Sequence, residues 1–455
     1  MSRIFESRNL YKNAFYRNKG VFYLGGYAVN KNLLSSMLFL VIVSGGFTLA
    51  GTMHLETVQA ATEVIGIINS DTTWTVANSP YNLTGPVLVS NGVTLRIEAG
   101  VTVNTNDHDH YIQVDGALYA MGISSKPIYF NEGSIRFTEV SSGWNETTGT
   151  GSIIEKAVLN RTSVWVNGDQ KVNSNTVVRG PIKVENGTPL ITNNDIDGYM
   201  FVVGGSPVIS HNTILGNPGS DWLGRPVYDE YGISLEASTA HIFDNVILGR
   251  FTEAAIEVSS GGPTIERNLI INHYGFGGEG YRQAGIRIYR GDDDILIRSN
   301  TITESPRGID CASSLTTIMY NNIQGNINYN IYLRSSAKSD VNATYNWWGT
   351  TDTEAISELI FDFEEDFNLG KVIFTPFLTE PNSEAPEKTA PPPTPTPTAS
   401  PTPTPSTTPS PTASPTPTPT PEPPQTDFAT IAGAAIVITV LAVGLGLLIY
   451  LIKRK

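Results

Sequence analysis

A short phrase, apolar-x-x-Asn-x-apolar, returns seven times: Val172, Asn175, Val177; Ile191, Asn194, Ile196; Ile209, Asn212, Ile214; Ile242, Asn245, Ile247; Ile265, Asn268, Ile270; Ile297, Asn300, Ile302; Ile318, Asn321, Ile323. An altered copy, Tyr345-Asn346-Trp347-Trp348-Gly349, follows. Successive asparagines lie 18 to 33 residues apart, too far for a hairpin and suited to one turn of a solenoid. One such turn cannot bury its apolar side alone, so the chain must make its core by stacking turn upon turn.

A second phrase sits inside the later turns: Gly232-Ile233-Ser234-Leu235, Ala255-Ile256-Glu257-Val258, Gly285-Ile286-Arg287-Ile288, Gly308-Ile309-Asp310-Cys311 and Asn330-Ile331-Tyr332-Leu333. Its alternation is that of a strand with one face inward, and no helical period competes with it. From this phrase to the next asparagine takes 13 to 16 residues, whereas from an asparagine to the phrase takes 8 to 20. Insertions are therefore confined to one edge of the stack.

Asparagine has a physical reason to recur at such a bend. It tolerates the left-handed backbone region, and its amide bonds to backbone groups. Stacked in register, Asn175, Asn194, Asn212, Asn245, Asn268, Asn300, Asn321 and Asn346 are expected to satisfy one another as a ladder where water does not reach.

With these repeats the chain resembles the right-handed parallel β-helix family, the pectin-lyase-like fold that includes carbohydrate-binding and sugar-hydrolysis modules and NosD-like proteins. The likeness runs from about Thr62 to Pro381. It includes a preamble, Trp74-Thr75-Val76 through Pro80-Tyr81 to Val93-Thr94-Leu95-Arg96-Ile97-Glu98-Ala99-Gly100, similar to the N-terminal cap of that family. The resemblance implies an all-β solenoid over residues 61–380, and says little of chemistry, because one fold hosts many functions.

The ends of the chain read differently. Residues 1–60 hold a short apolar run, Met37 to Gly51, after Arg8, Lys12, Arg17, Lys19 and Lys31; this is the layout of a secretory signal with cleavage expected after Ala60, a retained anchor being the alternative. Residues 381–427 are rich in Pro, Thr and Ser, which suits an extended, disordered stalk open to O-linked sugars. Phe428 to Ile452 is apolar throughout and long enough to span a bilayer, and Lys453-Arg454-Lys455 places the C-terminus in the cytoplasm. The order predicts a single-pass protein displayed at the cell surface, with sequons at Asn82, Asn145, Asn160, Asn186 and Asn342 open to N-glycosylation.

A formal charge of -14 argues against a nucleic-acid partner, which needs concentrated Lys and Arg. The single cysteine, Cys311, has no partner for an intrachain disulfide and reads as a small buried hydrophobe on its strand. Asp107-His108-Asp109-His110 alternates carboxylates with imidazoles but reads as a solvated loop. No metal or other cofactor is implied; calcium, which pectate lyases use, has no carboxylate set here to support it. After the last asparagine, Thr351 or Asp352 can cap a short helix with an apolar stripe of Ile356, Leu359 and Ile360, expected to close the open end above Trp347 and Trp348.

Two function classes remain. The Gly-His-Gly and Arg-Ile-Lys signatures of polygalacturonase-like members are absent, and Asp292-Asp293-Asp294 reads as a solvated bulge. Glu257, Arg287 and Asp310 of adjoining turns form the best catalytic constellation for a lyase or hydrolase, against a stabilising ladder of charges. The other class is binding of a glycan, polysaccharide or envelope component without turnover. The connections Gly216 to Tyr231 and Asn272 to Ala284 share one phase of the repeat and are expected to rise as walls over Arg250-Phe251-Thr252-Glu253. They offer Trp222, Tyr228, Asp229 and Tyr231 on one side, and Tyr274, Phe276, Tyr281 and Arg282 on the other. Aromatics interleaved with charges suit sugar rings and hydroxyls. A purely structural envelope role stays open beside them.

Overall fold

Three parallel ladders of short strands wind around one apolar core. The computed structural model describes residues 21–24, 27–30, 61–105, 109–216, 219–220, 226–227, 229–273, 283–290 and 293–388. The expected signal run, stalk, membrane helix and basic tail lie outside these residues, apart from the paired strands Val21–Leu24 and Tyr27–Asn30 and the stretch Pro381 to Lys388. Among the described residues no helix is long and apolar enough to cross a membrane.

Each coil carries one strand per face. In the middle of the stack, Leu190–Thr192 lies on face 1, Asp195–Asp197 on face 2 and Met200–Val203 on face 3; the next coil repeats this as Val208–Ser210, Thr213–Gly216 and Tyr231–Glu236. Face 1 is a sheet of 13 described strands. Faces 2 and 3 count as one sheet of 23, because the long strand Tyr81–Val89 pairs with Thr102–Thr105 of one face and Tyr111–Val114 of the other.

Register follows from the apolar positions. Face 1 stacks Ile154, Val172, Ile191, Ile209, Ile242, Ile265, Ile297 and Ile318; face 2 stacks Val177, Ile196, Ile214, Ile247, Ile270, Ile302 and Ile323; face 3 stacks Ile182, Met200, Ile233, Ile256, Ile286, Ile309 and Ile331. All are buried. A slip of one residue would turn a column outward, so burial fixes the pairing.

The corner between faces 1 and 2 holds the asparagines. Asn175 Nδ2 donates to Asn194 Oδ1 at 3.0 Å, Asn194 to Asn212 at 2.9 Å, Asn212 to Asn245 at 3.0 Å, and so on through Asn268, Asn300 and Asn321 to Asn346. Each Oδ1 also accepts the backbone N–H of the asparagine one coil earlier, the first taking that of Ala157. Each Nδ2 reaches a face-1 carbonyl as well, such as Ile242 O for Asn268. One expectation is corrected here. The left-handed conformation falls on the residue before each asparagine, Ser174, Asn193, His211, Asp244, Arg267, Ser299, Tyr320 and Tyr345, with φ between 51° and 59°. The asparagine is left free to aim its amide inward, while the left-handed position before it is filled by Ser, Asn, His, Asp, Arg or Tyr.

At the C-terminal end, Asp352 caps the helix Thr353–Ser357 by accepting from Glu354 N, and Ile356 is buried. The helix does not finish the stack. Ile360–Phe361 adds to face 3 beside Tyr329–Leu333, and Val372–Ile373 adds to face 1 beside Val341–Asn342. Trp348 is buried and Trp347 half-buried, its Nε1 donating to Gln324.

On the outside of face 1, Glu266 is held by His241 Nε2 at 2.9 Å, Arg267 Nη1 at 2.8 Å and Arg298 at 2.5 Å. Burial opposes its charge, but hydrogen bonds from His241, Arg298 and Arg267 outweigh it and hold the carboxyl below its ordinary 4.5.

Two predictions follow from these contacts. Asn268→Ala strips partners from Asn245 N, Ile242 O and the Asn300 amide oxygen, and should cost about 1–3 kcal/mol in urea unfolding. Glu266→Gln should lose about 1–3 kcal/mol relative to wild type at neutral pH. Because the folded pKa is depressed, the wild-type advantage is present above 4.5 and fades as pH falls through the lowered value, which unfolding curves across acid pH will read.

Candidate functional site

The outward positions of face 3 form one continuous column along the stack. In register it runs Gln113, Arg136, Trp165, Lys183, Phe201, Ser234, Glu257, Arg287, Asp310, Tyr332 and Phe361. Parallel pairing places these side chains about 4.8 Å apart, one per coil. The column divides into three segments with different chemistry.

The first segment is a cation–aromatic stack. Arg136 lies over the rings of Tyr111 at 4.1 Å and Trp165 at 4.9 Å, and Lys183 lies over Trp165 at 4.7 Å. The faces of Trp165 are thus engaged by the protein itself.

The second segment is a cleft of about 410 Å³, lined by Lys183, Tyr199, Phe201, Asp229, Glu230, Tyr231 and Ser234. Met200 points inward, so its neighbours Tyr199 and Phe201 point out, and both are half-buried. Asp229 and Glu230 enter from the connection between faces 2 and 3, fixed by Thr252 N to Asp229 O at 3.0 Å and Glu253 N to Glu230 O at 2.9 Å. Burial raises the Asp229 carboxyl above its usual range, and the nearby Asp197 carboxylate raises it further. Burial also raises the Tyr199 and Tyr231 hydroxyls, each beside a carboxylate, Asp229 and Glu257 respectively.

The third segment is a buried ion network. Glu257, Arg287 and Asp310 are direct neighbours in register, and each is less than 10 % exposed. Asp310 accepts Arg334 Nε at 2.5 Å, Arg334 Nη2 at 2.8 Å and Arg307 Nη1 at 2.9 Å. Arg287 pairs with Glu253, and lies 3.9 Å from Glu257 and 3.8 Å from Asp310. The Arg307 guanidinium stacks 3.5 Å above Tyr332. Burial raises the Glu257 carboxyl, against hydrogen bonds from Ser259 and Tyr231 and the charge of Arg287 that pull it down. Glu257 is the member that touches the cleft, through Tyr231. Beyond the network a second, more open cleft of about 460 Å³ is lined by Arg307, Ile327, Asn328, Tyr329 and Glu358.

The structure therefore brings Glu257, Arg287 and Asp310 together and encloses them, while Asp229 and Tyr231 meet at the first cleft. Trp222, Tyr228, Tyr274, Phe276, Tyr281 and Arg282 lie outside the described residues. Both long connections join face 2 to face 3, Gly216 to Tyr231 and Asn272 to Ala284. Of the sequons, Asn145, Asn160, Asn186 and Asn342 are exposed; Asn82 is half-buried and accepts from Asn104 at 3.0 Å. Asp107 and His108 also fall outside the described residues, while His110 bonds through Nδ1 to Leu83 O at 3.0 Å. Asp293 and Asp294 are exposed, and no group of three His, Cys, Asp or Glu placed to hold a metal occurs among the described residues. Cys311 is fully buried, and burial pushes its thiol up to about 11.

Sequence reasoning missed Lys183, Tyr199, Phe201 and Ser234. The signal was present: Ile182-Lys183-Val184 and Met200-Phe201-Val202 alternate as Gly232-Ile233-Ser234-Leu235 does, and aligning them would have placed all four on one wall.

Two family models match the chain. One describes a right handed beta helix region and covers residues 204–350; the other describes a pectate-lyase like beta helix domain and covers residues 66–176. Neither a curated protein nor a solved structure matched it. The parallel ladders stay in register through both matched segments, so the fold is that of a right-handed parallel β-helix, and over residues 66–176 it is similar to the pectate-lyase-like form.

Proposed function

We propose that this β-helix binds a polysaccharide or glycan in the face-3 cleft around Tyr199, Phe201, Asp229 and Tyr231. The observation that carries the reading is the lining itself: three aromatic rings stand beside a lysine, two carboxylates and a serine around about 410 Å³. Rings offer apolar surface to the C–H faces of sugars, and the polar groups fix hydroxyls; the volume lies in the range of small-molecule sites, roughly 300–1,000 Å³. The aromatic and charged residues that the sequence places in the two long connections, Trp222, Tyr228, Tyr274, Phe276, Tyr281 and Arg282, extend the same chemistry.

One observation favours turnover as a second reading. A general acid is favoured by a carboxyl whose pKa lies above the ordinary range, and burial, followed by the Asp197 charge, raises Asp229 within the cleft. The two readings separate in one experiment. A broad glycan array and a product-release assay are run with wild type, the double variant Tyr199→Ala with Phe201→Ala, and Asp229→Asn. Wild type should bind, and the double variant should bind about tenfold to a hundredfold more weakly, the loss of roughly 1.4–2.8 kcal/mol, with little change in Tm. A wild-type protein that binds nothing on the array would overturn the proposal; products released by wild type but not by Asp229→Asn would establish turnover at this cleft.

We further propose that the protein is displayed outside the cell, anchored by Phe428 to Ile452 after a Pro/Thr stalk. The supporting observations are the apolar run at Met37 to Gly51, the length of the second run and its tribasic end. Protease added to intact cells should release a fragment of about residues 62–424. Protection until lysis would reverse the orientation.

A further inference from the structure

Face 2 fails gradually toward the C-terminus. Its strands shorten from Leu269–Asn272 through Thr301–Thr303 to Asn322–Ile323, and end in a single bridge, Asn322 to Trp347. Backbone groups and apolar side chains at such a tapering end need another partner, yet Thr301 and Asn322, on the outer side of that face, are almost completely buried.

What covers them is the chain that leaves the last coil. After Val372–Ile373 it turns back across the outside of face 2. Tyr345 N donates to Pro376 O at 2.6 Å, and Leu378 N to Asn346 O at 3.0 Å. One coil further back, Asn322 and Asn382 clasp each other: Asn382 N donates to Asn322 Oδ1 at 2.8 Å, and Asn322 Nδ2 to Asn382 O at 3.1 Å. The Asn382 side chain continues to Tyr320 O at 2.5 Å. In the coil before that, Thr301 Oγ1 donates to Pro386 O at 2.5 Å, and Lys388 pairs with Glu304. Ala385 is buried beneath. Pro376, Pro381 and Pro386 punctuate a strap that joins no sheet, and side-chain amides and hydroxyls replace the missing ladder.

We infer that residues 376–388 are a latch: closed, they lock the last three coils together and cover the tapering edge of face 2, so that it is withheld from pairing with a second copy of this chain. Lys388, the last described residue, consequently lies at the coil of Glu304, two coils inside the end. Tension arriving from beyond Lys388 meets the latch before it meets the terminal strands.

The test is hydrogen exchange on the full chain, comparing wild type with Asn322→Ala, whose side chain makes both bonds of the clasp. Loss of the clasp should speed exchange about tenfold for amides of residues 299–347, with residues 66–176 unchanged, and light scattering should show self-association. Thr301→Val, which removes only the Pro386 contact, should give the same pattern at smaller amplitude and guards against a variant that simply misfolds. Unchanged exchange at residues 299–347 in both variants would overturn the latch. Uniformly faster exchange along the whole stack would overturn it too, since the strap would then be supporting general stability.

Discussion

The amide ladder at the corner of faces 1 and 2 is the constraint on which the rest of the stack depends. Every corner requires a residue in the left-handed region, which costs a non-glycine residue on the order of 1 kcal/mol or more. Each asparagine offsets that with bonds to the coils beside it, at about 1 kcal/mol net apiece. An amide has two donors and one acceptor oxygen with two lone pairs, and in the central rungs all are used. A neighbour shifted by one residue would leave these groups dry and unpaired, so the ladder fixes register independently of the apolar columns.

Register, in turn, makes the outer wall readable as a surface. Once the columns Ile182 to Ile331 are locked inward, the residues between them must align outward, and a sequence of unrelated-looking side chains becomes one strip along face 3. The strip passes from cation–aromatic stacking at Trp165 to a partly open cleft at Phe201 and then to enclosed ion pairs at Asp310. The enclosed pairs contribute rigidity under the cleft rather than reach. Arg287, Arg307 and Arg334 face Glu253, Glu257 and Asp310, so charge is balanced where solvent is scarce.

Much of this was legible in the sequence, because stacking imposes the same chemical demand at every turn. The asparagine spacing and the second strand phrase both recur for that reason. Gly232, Gly285 and Gly308 lead that phrase because a Cβ there would press within 3 Å of the next coil's backbone. The earlier coils have no such glycine lead, and Lys183 and Phe201 went unnoticed with them. The residue that bears the left-handed strain left no signature either: Ser, Asn, His, Asp, Arg and Tyr all serve. Composition misled at one boundary. The proline-rich character from Pro381 suggests a stalk, whereas Asn382, Ala385 and Pro386 still belong to the wall, through bonds that local composition does not encode.

The direct measurement of the ladder is the exchange of its side-chain amides, observed by NMR on protein labelled with 15N at asparagine. The account predicts eight strongly protected Nδ2 pairs, from Asn175, Asn194, Asn212, Asn245, Asn268, Asn300, Asn321 and Asn346, each with hydrogen-bonded shifts. Rapid exchange at these eight, at the rate of exposed asparagines such as Asn145, would contradict it.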